Sequence, residues 1–162
     1  MPASSLPPCG LYRTSVPLGD AIPAGKLVYF HNHGDPGPGV YLPERWIVNR
    51  AEFSEQGFTL PGPIDATAAT LKALPDEGFY RVTERFFCCE KKCRAFEPEL
   101  LVQLGYNSEG EPILFLPELT TAGLALPATG QAIAPDQLEH LSALVVPESE
   151  EQIMPAQSEN LH

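Results

Sequence analysis

The fold is decided by residues 78–116, which read GFYRVTERFFCCEKKCRAFEPELLVQLGYNSEGEPILFL. The first ten of these residues mix aromatic, β-branched and charged side chains, and their near-alternation fits an extended strand better than a helical stripe. Residues 100–106 and 112–116 form two further apolar runs, and the Asn-Ser-Glu-Gly segment between them has the composition of a hairpin connection. The stretch therefore predicts a three-strand antiparallel meander.

Proline is unusually frequent on both sides of this meander, with 18 prolines in 162 residues. Because proline lacks a backbone N–H and disrupts helix interiors at a cost of ~3 kcal/mol, architectures built from long helices are excluded. Two short helices are expected. Residues 65–74 have Asp65 as a capping residue, and residues 134–144 have Pro135 at the first helical position.

Many short strands separated by turn signals favour a mainly β protein. We expect a small, partly open β-barrel or a sandwich that contains the meander and the two helices. Residues 11–146 are expected to form this single domain. Residues 1–10 are expected to be loosely ordered, and the acidic residues 147–162 are expected to be a disordered tail. No repeat of fixed period is found along the sequence.

The formal net charge of −11 is unevenly distributed. Residues 1–94 hold all 10 Lys and Arg and 10 acidic residues, whereas residues 95–162 hold 11 acidic residues and no Lys or Arg. Phosphate backbones are repelled by such a surface, so the charge argues against nucleic-acid binding. It is compatible with a protein partner that has a basic surface.

The chain start lacks the charged and apolar regions of a secretory signal. The longest apolar runs are about four residues, far short of the ~18 that a membrane span needs. We expect a cytoplasmic protein without a membrane partner. In a reducing compartment, its four cysteines are expected to be thiols or metal ligands rather than disulfides.

Three of the cysteines lie close together in Cys88-Cys-Glu-Lys-Lys-Cys93. Their spacing differs from a C-x-x-C zinc motif, and on a strand Cys88 and Cys89 would point to opposite faces. Zinc binding by Cys88 and Cys93 would thus need a remote ligand such as Cys9 or a histidine. Half of the ten basic residues fall in residues 81–94, and cations lower the pKa of neighbouring thiols. Cys89 or Cys93 is therefore a candidate reactive thiol, and the alternative is a solvated turn without a special function.

A second candidate site is His31-Asn-His33 with Asp35. Two histidines separated by one residue point to the same side of an extended chain, and imidazole with carboxylate suits zinc or iron. The alternative is a polar hairpin tip in which the histidines bond backbone carbonyls.

A third candidate is a surface rather than a pocket. Tyr41, Trp46 and Tyr106 lie in or near predicted turns, and aromatic anchors are typical of interaction hot spots. Glu97 and Glu99 share one face of a strand and would add negative charge. The alternative is that the aromatic side chains fill the core.

The sequence contains no nucleophile elbow, P-loop or G-x-G-x-x-G motif. The leading hypothesis is a small, non-enzymatic binding or adaptor protein without a cofactor, which engages a basic macromolecular partner through this acidic, aromatic surface. A homo-oligomer is also compatible with the sequence. The alternative is a metal- or thiol-dependent enzyme or sensor, with zinc as the expected ion, that uses His31, His33 and Asp35 or the Cys88–Cys93 turn.

Overall fold

The computed structural model describes residues 6–34 and 37–147. The protein is mainly β, with 41% of the described residues in strands and 8% in two short helices. A short α-helix, α1, spans Ile64–Ala68, and a 3-10 helix spans Pro135–His140. The strands, in chain order, are β1 (Gly10–Arg13), β2 (Leu27–His31), β3 (Gly39–Tyr41), β4 (Pro43–Ile47), β5 (Arg50–Phe53), β6 (Phe58–Thr59), β7 (Lys72–Ala73), β8 (Gly78–Val82), β9 (Phe86–Phe87), β10 (Ala95–Phe96), β11 (Leu101–Tyr106), β12 (Pro112–Phe115), β13 (Glu118–Thr120), β14 (Gly123–Ala125), β15 (Gln131–Ala132) and β16 (Leu141–Ala143).

The strands form antiparallel pairs in two five-stranded sheets and three two-stranded hairpins. The first sheet has the order β6-β3-β2-β1-β7, and the second has the order β15-β12-β11-β8-β16. The predicted meander is confirmed, because β11 pairs with β8 on one side and with β12 on the other. The described strands do not close into a barrel.

The two sheets repeat one topology. The first repeat, residues 10–73, runs through β1, β2, β3, the β4–β5 hairpin, β6, α1 and β7. The second repeat, residues 78–143, runs through β8, β11, β12, the β13–β14 hairpin, β15, the 3-10 helix and β16. Corresponding strands occupy corresponding places in the two sheet orders. The β9–β10 hairpin has no counterpart among the described elements of the first repeat.

The sequence carries this repeat, although without a fixed period. GLYR at residues 10–13 matches GFYR at residues 78–81. A second match joins residues 27–44, LVYFHNHGDPGPGVYLPE, to residues 101–118, LVQLGYNSEGEPILFLPE. These two segments are identical at their first two, their twelfth and their last three positions. The offset is 68 residues for the first match and 74 for the second. A search for one constant period misses the repeat because the β9–β10 hairpin lengthens the second copy.

Side-chain alternation along β1 and β2 gives the first sheet a core on each face. Leu11 and Leu27 pack into one core with residues of the second repeat, whereas Tyr12, Val28 and Phe30 pack into the other core. The first core also contains the buried strand residues of the second sheet, which are Tyr80, Val82, Val102, Leu104, Tyr106 and Leu114. The two repeats therefore share one apolar core.

The β4–β5 hairpin adds a polar connection between the repeats. Its tip residue Asn49 donates hydrogen bonds through Nδ2 to Gln103 Oε1 and to the Pro127 carbonyl, both at 2.9 Å. Gln103 Nε2 in turn donates to the Val48 carbonyl at 2.9 Å. Because Gln103 is only 1% exposed, these bonds satisfy an amide that would otherwise be costly to bury.

Both predicted helices are shorter in the structure. The predicted helix over 65–74 ends at Ala68, and β7 follows it and pairs with β1. The predicted helix over 134–144 is a 3-10 helix that ends at His140, after which β16 pairs with β8. In each repeat, the residues at the end of the predicted helix form an edge strand instead. Their backbone groups form hydrogen bonds with the neighbouring strand, which a helical segment could not do. Within the described residues, no helix is both long and apolar enough to cross a membrane.

Candidate metal-binding sites

The structure brings together two clusters of side chains that are suited to a metal ion. One contains Cys88, Cys89 and Cys93, and the other contains Cys9, His31 and His33. In each cluster, one ligand atom from every residue lies within 4.8 Å of the others. The three-cysteine cluster lies in the second repeat. In the other cluster, His31 and His33 lie in the first repeat and Cys9 directly precedes it.

The three cysteines occupy the connection of the β9–β10 hairpin, which we call the Cys turn (residues 88–94). Phe87 pairs with Ala95 at the end of the ladder, and the Cys88 N–H donates to the Arg94 carbonyl at 3.0 Å. Lys92 adopts a positive φ of 56°, and its N–H donates to the Cys89 carbonyl at 2.9 Å. These bonds bend the chain so that Cys93 returns toward Cys89.

The expectation that Cys88 and Cys89 point to opposite faces is wrong, because β9 ends at Phe87 and both cysteines lie in the turn. Their Sγ atoms are 3.5 Å apart, and the Sγ atoms of Cys89 and Cys93 are 4.0 Å apart. A tetrahedral zinc ion with Zn–S bonds of ~2.3 Å requires sulfur–sulfur distances of about 3.8 Å. The observed distances bracket this value.

Hydrogen bonds make the Cys89 thiol more acidic than an ordinary cysteine. The N–H of Cys93 has the largest effect, followed by the Cys88 thiol and the N–H of Lys91, and together they lower the pKa of Cys89 to about 7. The pKa of Cys93 is raised, first because its side chain shares a hydrogen bond with Cys89. The sequence argument attributed such a shift to nearby cations, whereas the structure attributes it to hydrogen-bond donors.

The basic side chains around the Cys turn have other partners. Arg85 forms an ion pair with Glu97 at 2.9 Å, and its guanidinium lies 5.0 Å from the Phe87 ring centroid. The ammonium of Lys92 lies 5.2 Å from the same centroid. Both residues line a cavity of about 530 Å³ together with Cys89 and His140. Glu90 and Asp136 line the same cavity, so a ligand there would meet a thiol, an imidazole, two cations and two carboxylates.

The second cluster lies at the start of β1 and the end of β2. Gly10 pairs with Phe30, so the residue before β1 faces the end of β2, where Asn32 donates its N–H to Cys9 Sγ at 3.3 Å. Cys9 Sγ lies 4.0 Å from His33 Nδ1. The sequence predicted the two histidines but not Cys9 as their neighbour. Asp35, the third residue of that prediction, lies outside the described residues.

No protein-family model, curated protein or solved structure matches the chain. Its function is therefore argued from its own residues.

The residues predicted to form a binding surface have different environments. Tyr106 is only 2% exposed, and its hydroxyl donates to the Pro75 carbonyl at 2.6 Å. Burial raises the pKa of its hydroxyl group. Trp46 is exposed, although its Nε1 donates to the Tyr106 carbonyl at 2.8 Å, and Tyr41 is half-buried.

Glu97 and Glu99 are exposed, and each forms an ion pair with an arginine. Glu97 pairs with Arg85 and Glu99 pairs with Arg81, both at 2.9 Å. The negative charge of both carboxylates is thus locally balanced. Binding of a basic macromolecular partner by this set of residues stays a prediction. The two clusters of possible metal ligands are the stronger candidates for a functional site.

Proposed function

We propose that the protein is a metal-binding protein, possessing an accessible site for a thiophilic divalent ion such as Zn²⁺ at Cys88, Cys89 and Cys93. The observation that carries this proposal is the convergence of three Sγ atoms within 4.8 Å, with two of their separations close to the edge of a zinc–thiolate tetrahedron. The donor set is purely thiolate, which favours zinc over magnesium or calcium.

The protonation state of the Cys turn supports the same proposal. Metal ions bind thiolates, so each bound cysteine must release its proton. With a pKa of about 7, Cys89 is about half ionised at neutral pH before any ion arrives. The backbone N–H groups that donate to its sulfur also remain available to a metal-bound thiolate, and such bonds orient a ligand for the ion.

Accessibility indicates an exchangeable or reactive site rather than a closed structural one. Cys88 is 1% exposed, but Cys89 is half-buried and Cys93 is exposed. Structural zinc sites have four protein ligands, whereas three protein ligands leave one position for water or a small molecule. Cys89 also lines the cavity that it shares with Arg85, Lys92 and His140. We propose that the open coordination position takes water or another small ligand.

The test is a titration of the metal-free protein with Co²⁺, whose thiolate charge-transfer absorption reports sulfur ligation. The H31A/H33A variant, which leaves the Cys turn intact, is expected to bind one equivalent with this absorption. Adding C89S/C93S to this variant is expected to abolish the absorption while the buried Cys88 is retained. Adding C9S instead removes a thiol outside the turn, serves as the matched control and is expected to leave the absorption unchanged. Absence of thiolate absorption in H31A/H33A would overturn the proposal.

The same turn has a second candidate function as a dithiol that responds to disulfides. It is favoured by the low pKa of Cys89 and by the neighbouring Cys93 thiol, whose sulfur is 4.0 Å away. The Cys89 thiolate would attack a small-molecule disulfide, form a mixed disulfide and release one thiolate. Cys93, after losing its proton, would attack the Cys89 sulfur, so that the Cys89–Cys93 disulfide forms and the second thiolate leaves.

Mass spectrometry after exposure to oxidised glutathione tests this second function. The metal-free protein is expected to lose two hydrogens in a peptide that contains Cys89 and Cys93, and prior loading with Zn²⁺ is expected to prevent the loss. Persistence of a stable glutathione adduct on Cys89, without formation of the internal disulfide, would count against the dithiol function.

A further inference from the structure

The cluster of Cys9, His31 and His33 differs from the Cys turn in both position and chemistry. We infer that it is a second, independent metal site, which takes a borderline divalent ion such as Ni²⁺ or Zn²⁺ through one thiolate and two imidazoles. The inference does not depend on metal binding by the Cys turn, since the two clusters have no residue in common.

The fold brings the three ligands together through strand register. Pairing of Gly10 with Phe30 fixes the end of β1 beside the end of β2. His31 is the last residue of β2, and His33 follows two residues later, so that their ring centroids are 4.0 Å apart. The N–H of Asn32, which lies between them, donates to Cys9 Sγ at 3.3 Å. The backbone therefore holds the sulfur beside the two rings before an ion is bound.

Hydrogen bonds also leave the same nitrogen available on each ring. His31 Nδ1 lies 2.8 Å from the His33 carbonyl, which only accepts hydrogen bonds, so Nδ1 carries the proton. His33 Nδ1 lies 2.8 Å from Asn32 Oδ1. The Asn32 amide is oriented by its Nδ2, which donates to the Pro7 carbonyl at 3.2 Å, so its oxygen faces His33.

Both imidazoles thus have their lone pair on Nε2 in the neutral form. Histidines that bind metals commonly donate their other N–H to a carbonyl or carboxylate, and this bond fixes the ring orientation. In the present cluster both Nδ1 bonds are already made, and because Cys9 Sγ lies 4.0 Å from His33 Nδ1, binding an ion through Nε2 requires the sulfur or the ring to move. The sequence alternative of histidines that bond backbone oxygens is therefore compatible with metal binding rather than opposed to it.

The donor set distinguishes this site from the Cys turn. Three thiolates around a divalent ion give a net charge of −1, whereas one thiolate and two neutral imidazoles give +1. Imidazole suits zinc, copper and nickel, and affinity for such sites rises from cobalt through nickel to copper. With three protein ligands and an exposed His33, one position remains open. The positive site would hold water or an anion there and lower the pKa of a bound water molecule.

The experiment uses the C89S/C93S variant, in which the Cys turn is disabled, and titrates it with Ni²⁺ and with Zn²⁺ against a competing chelator. It is expected to bind one equivalent of either ion. Adding H31A or H33A is expected to weaken binding at least tenfold, as loss of a ligand should. Thr120→Ala in the same background, which changes an exposed residue of the β13–β14 hairpin, is the control and is expected to leave the affinity unchanged. Circular dichroism of each variant verifies that it is folded.

Two outcomes would overturn the inference: C89S/C93S binds neither ion while remaining folded, or its affinity is indifferent to H31A and H33A. Either outcome is distinguishable from failure of the proposed function, which is read in H31A/H33A by thiolate absorption. A wild-type stoichiometry of two, reduced to one by either double substitution, is the expected result for both sites together.

Discussion

The two repeats share a topology but use their corresponding hairpins differently. In the first repeat, Asn49 and Trp46 of the β4–β5 hairpin form hydrogen bonds with the second repeat. In the second repeat, the β13–β14 hairpin exposes Leu119 by 86% and Leu124 by 58%. A duplicated fold therefore gives one hairpin a structural role while its counterpart is largely exposed to solvent.

The candidate chemistry lies where the repeats differ most. The Cys turn belongs to the β9–β10 hairpin, which lengthens the β8–β11 connection relative to the β1–β2 connection. The histidine cluster lies at the end of β2, where the corresponding segment of the second repeat has Gly105, Tyr106 and Asn107. The shared strands supply the cores, and the divergent connections supply the thiols and imidazoles. This division agrees with the general tendency of functional residues to lie in loops held by a rigid scaffold.

Matched core substitutions test whether the repeats fold as one unit, and they have the largest expected effect. Phe30 and Leu104 occupy corresponding places in β2 and β11, and both are fully buried. We expect Phe30→Ala to cost about 3–5 kcal/mol and Leu104→Ala about 2–5 kcal/mol, because each leaves a cavity. Both are expected to give one transition in urea, since Leu11 and Leu27 join the core of the second repeat. Two separated transitions would show that the repeats unfold independently.

The polar connection between the repeats is tested by Gln103→Leu. This substitution removes the partner of the Val48 carbonyl and one of the two acceptors of the Asn49 amide, and we expect a loss of about 1–3 kcal/mol in the free energy of unfolding. Ser142→Ala, on the edge strand β16, is the control and is expected to have a smaller effect. A loss below that of the control would mean that the hairpin tip contributes little to joining the repeats.

The two thiols Cys89 and Cys93 of the Cys turn are expected to differ in how their reactivity depends on pH. Because the pKa of Cys89 is lowered to about 7, its thiolate is formed as the pH rises through 7 and is lost as the pH falls below it. The rate of alkylation of metal-free protein by iodoacetamide at Cys89 is expected to rise about tenfold from pH 5 to pH 6 and to level off above pH 8. Peptide mapping separates Cys89 from Cys93, whose raised pKa places its own increase at higher pH. Equal profiles for the two cysteines would contradict the hydrogen-bond explanation.

Sequence reasoning predicted the β class and the meander because these depend on local alternation and turn residues. It overestimated both helices, since the pairing of β7 with β1 and of β16 with β8 is a long-range requirement that no local pattern shows. It placed His31 and His33 together by spacing, but Cys9 joins them only through the β1–β2 register. It separated Cys88 from Cys89 because it treated both as strand residues, whereas they lie in a turn. The repeat was missed because its two matching segments have unequal offsets. Recognising it would have allowed the strand pairing of one sheet, including its edge strand, to be inferred from the other.

The smallest effect on the free energy of unfolding is expected in the exposed β13–β14 hairpin. Leu119 and Leu124 face each other across β13 and β14, and their exposure leaves little apolar area for folding to bury. The L119S/L124S variant is therefore expected to change the free energy of unfolding by no more than about 0.5 kcal/mol, the usual range for surface substitutions. Urea denaturation at two protein concentrations measures this effect. A loss comparable with that of Gln103→Leu would mean that this hairpin, like its counterpart, is packed against another surface in solution, and a loss that depends on concentration would identify that surface as a second copy of the chain.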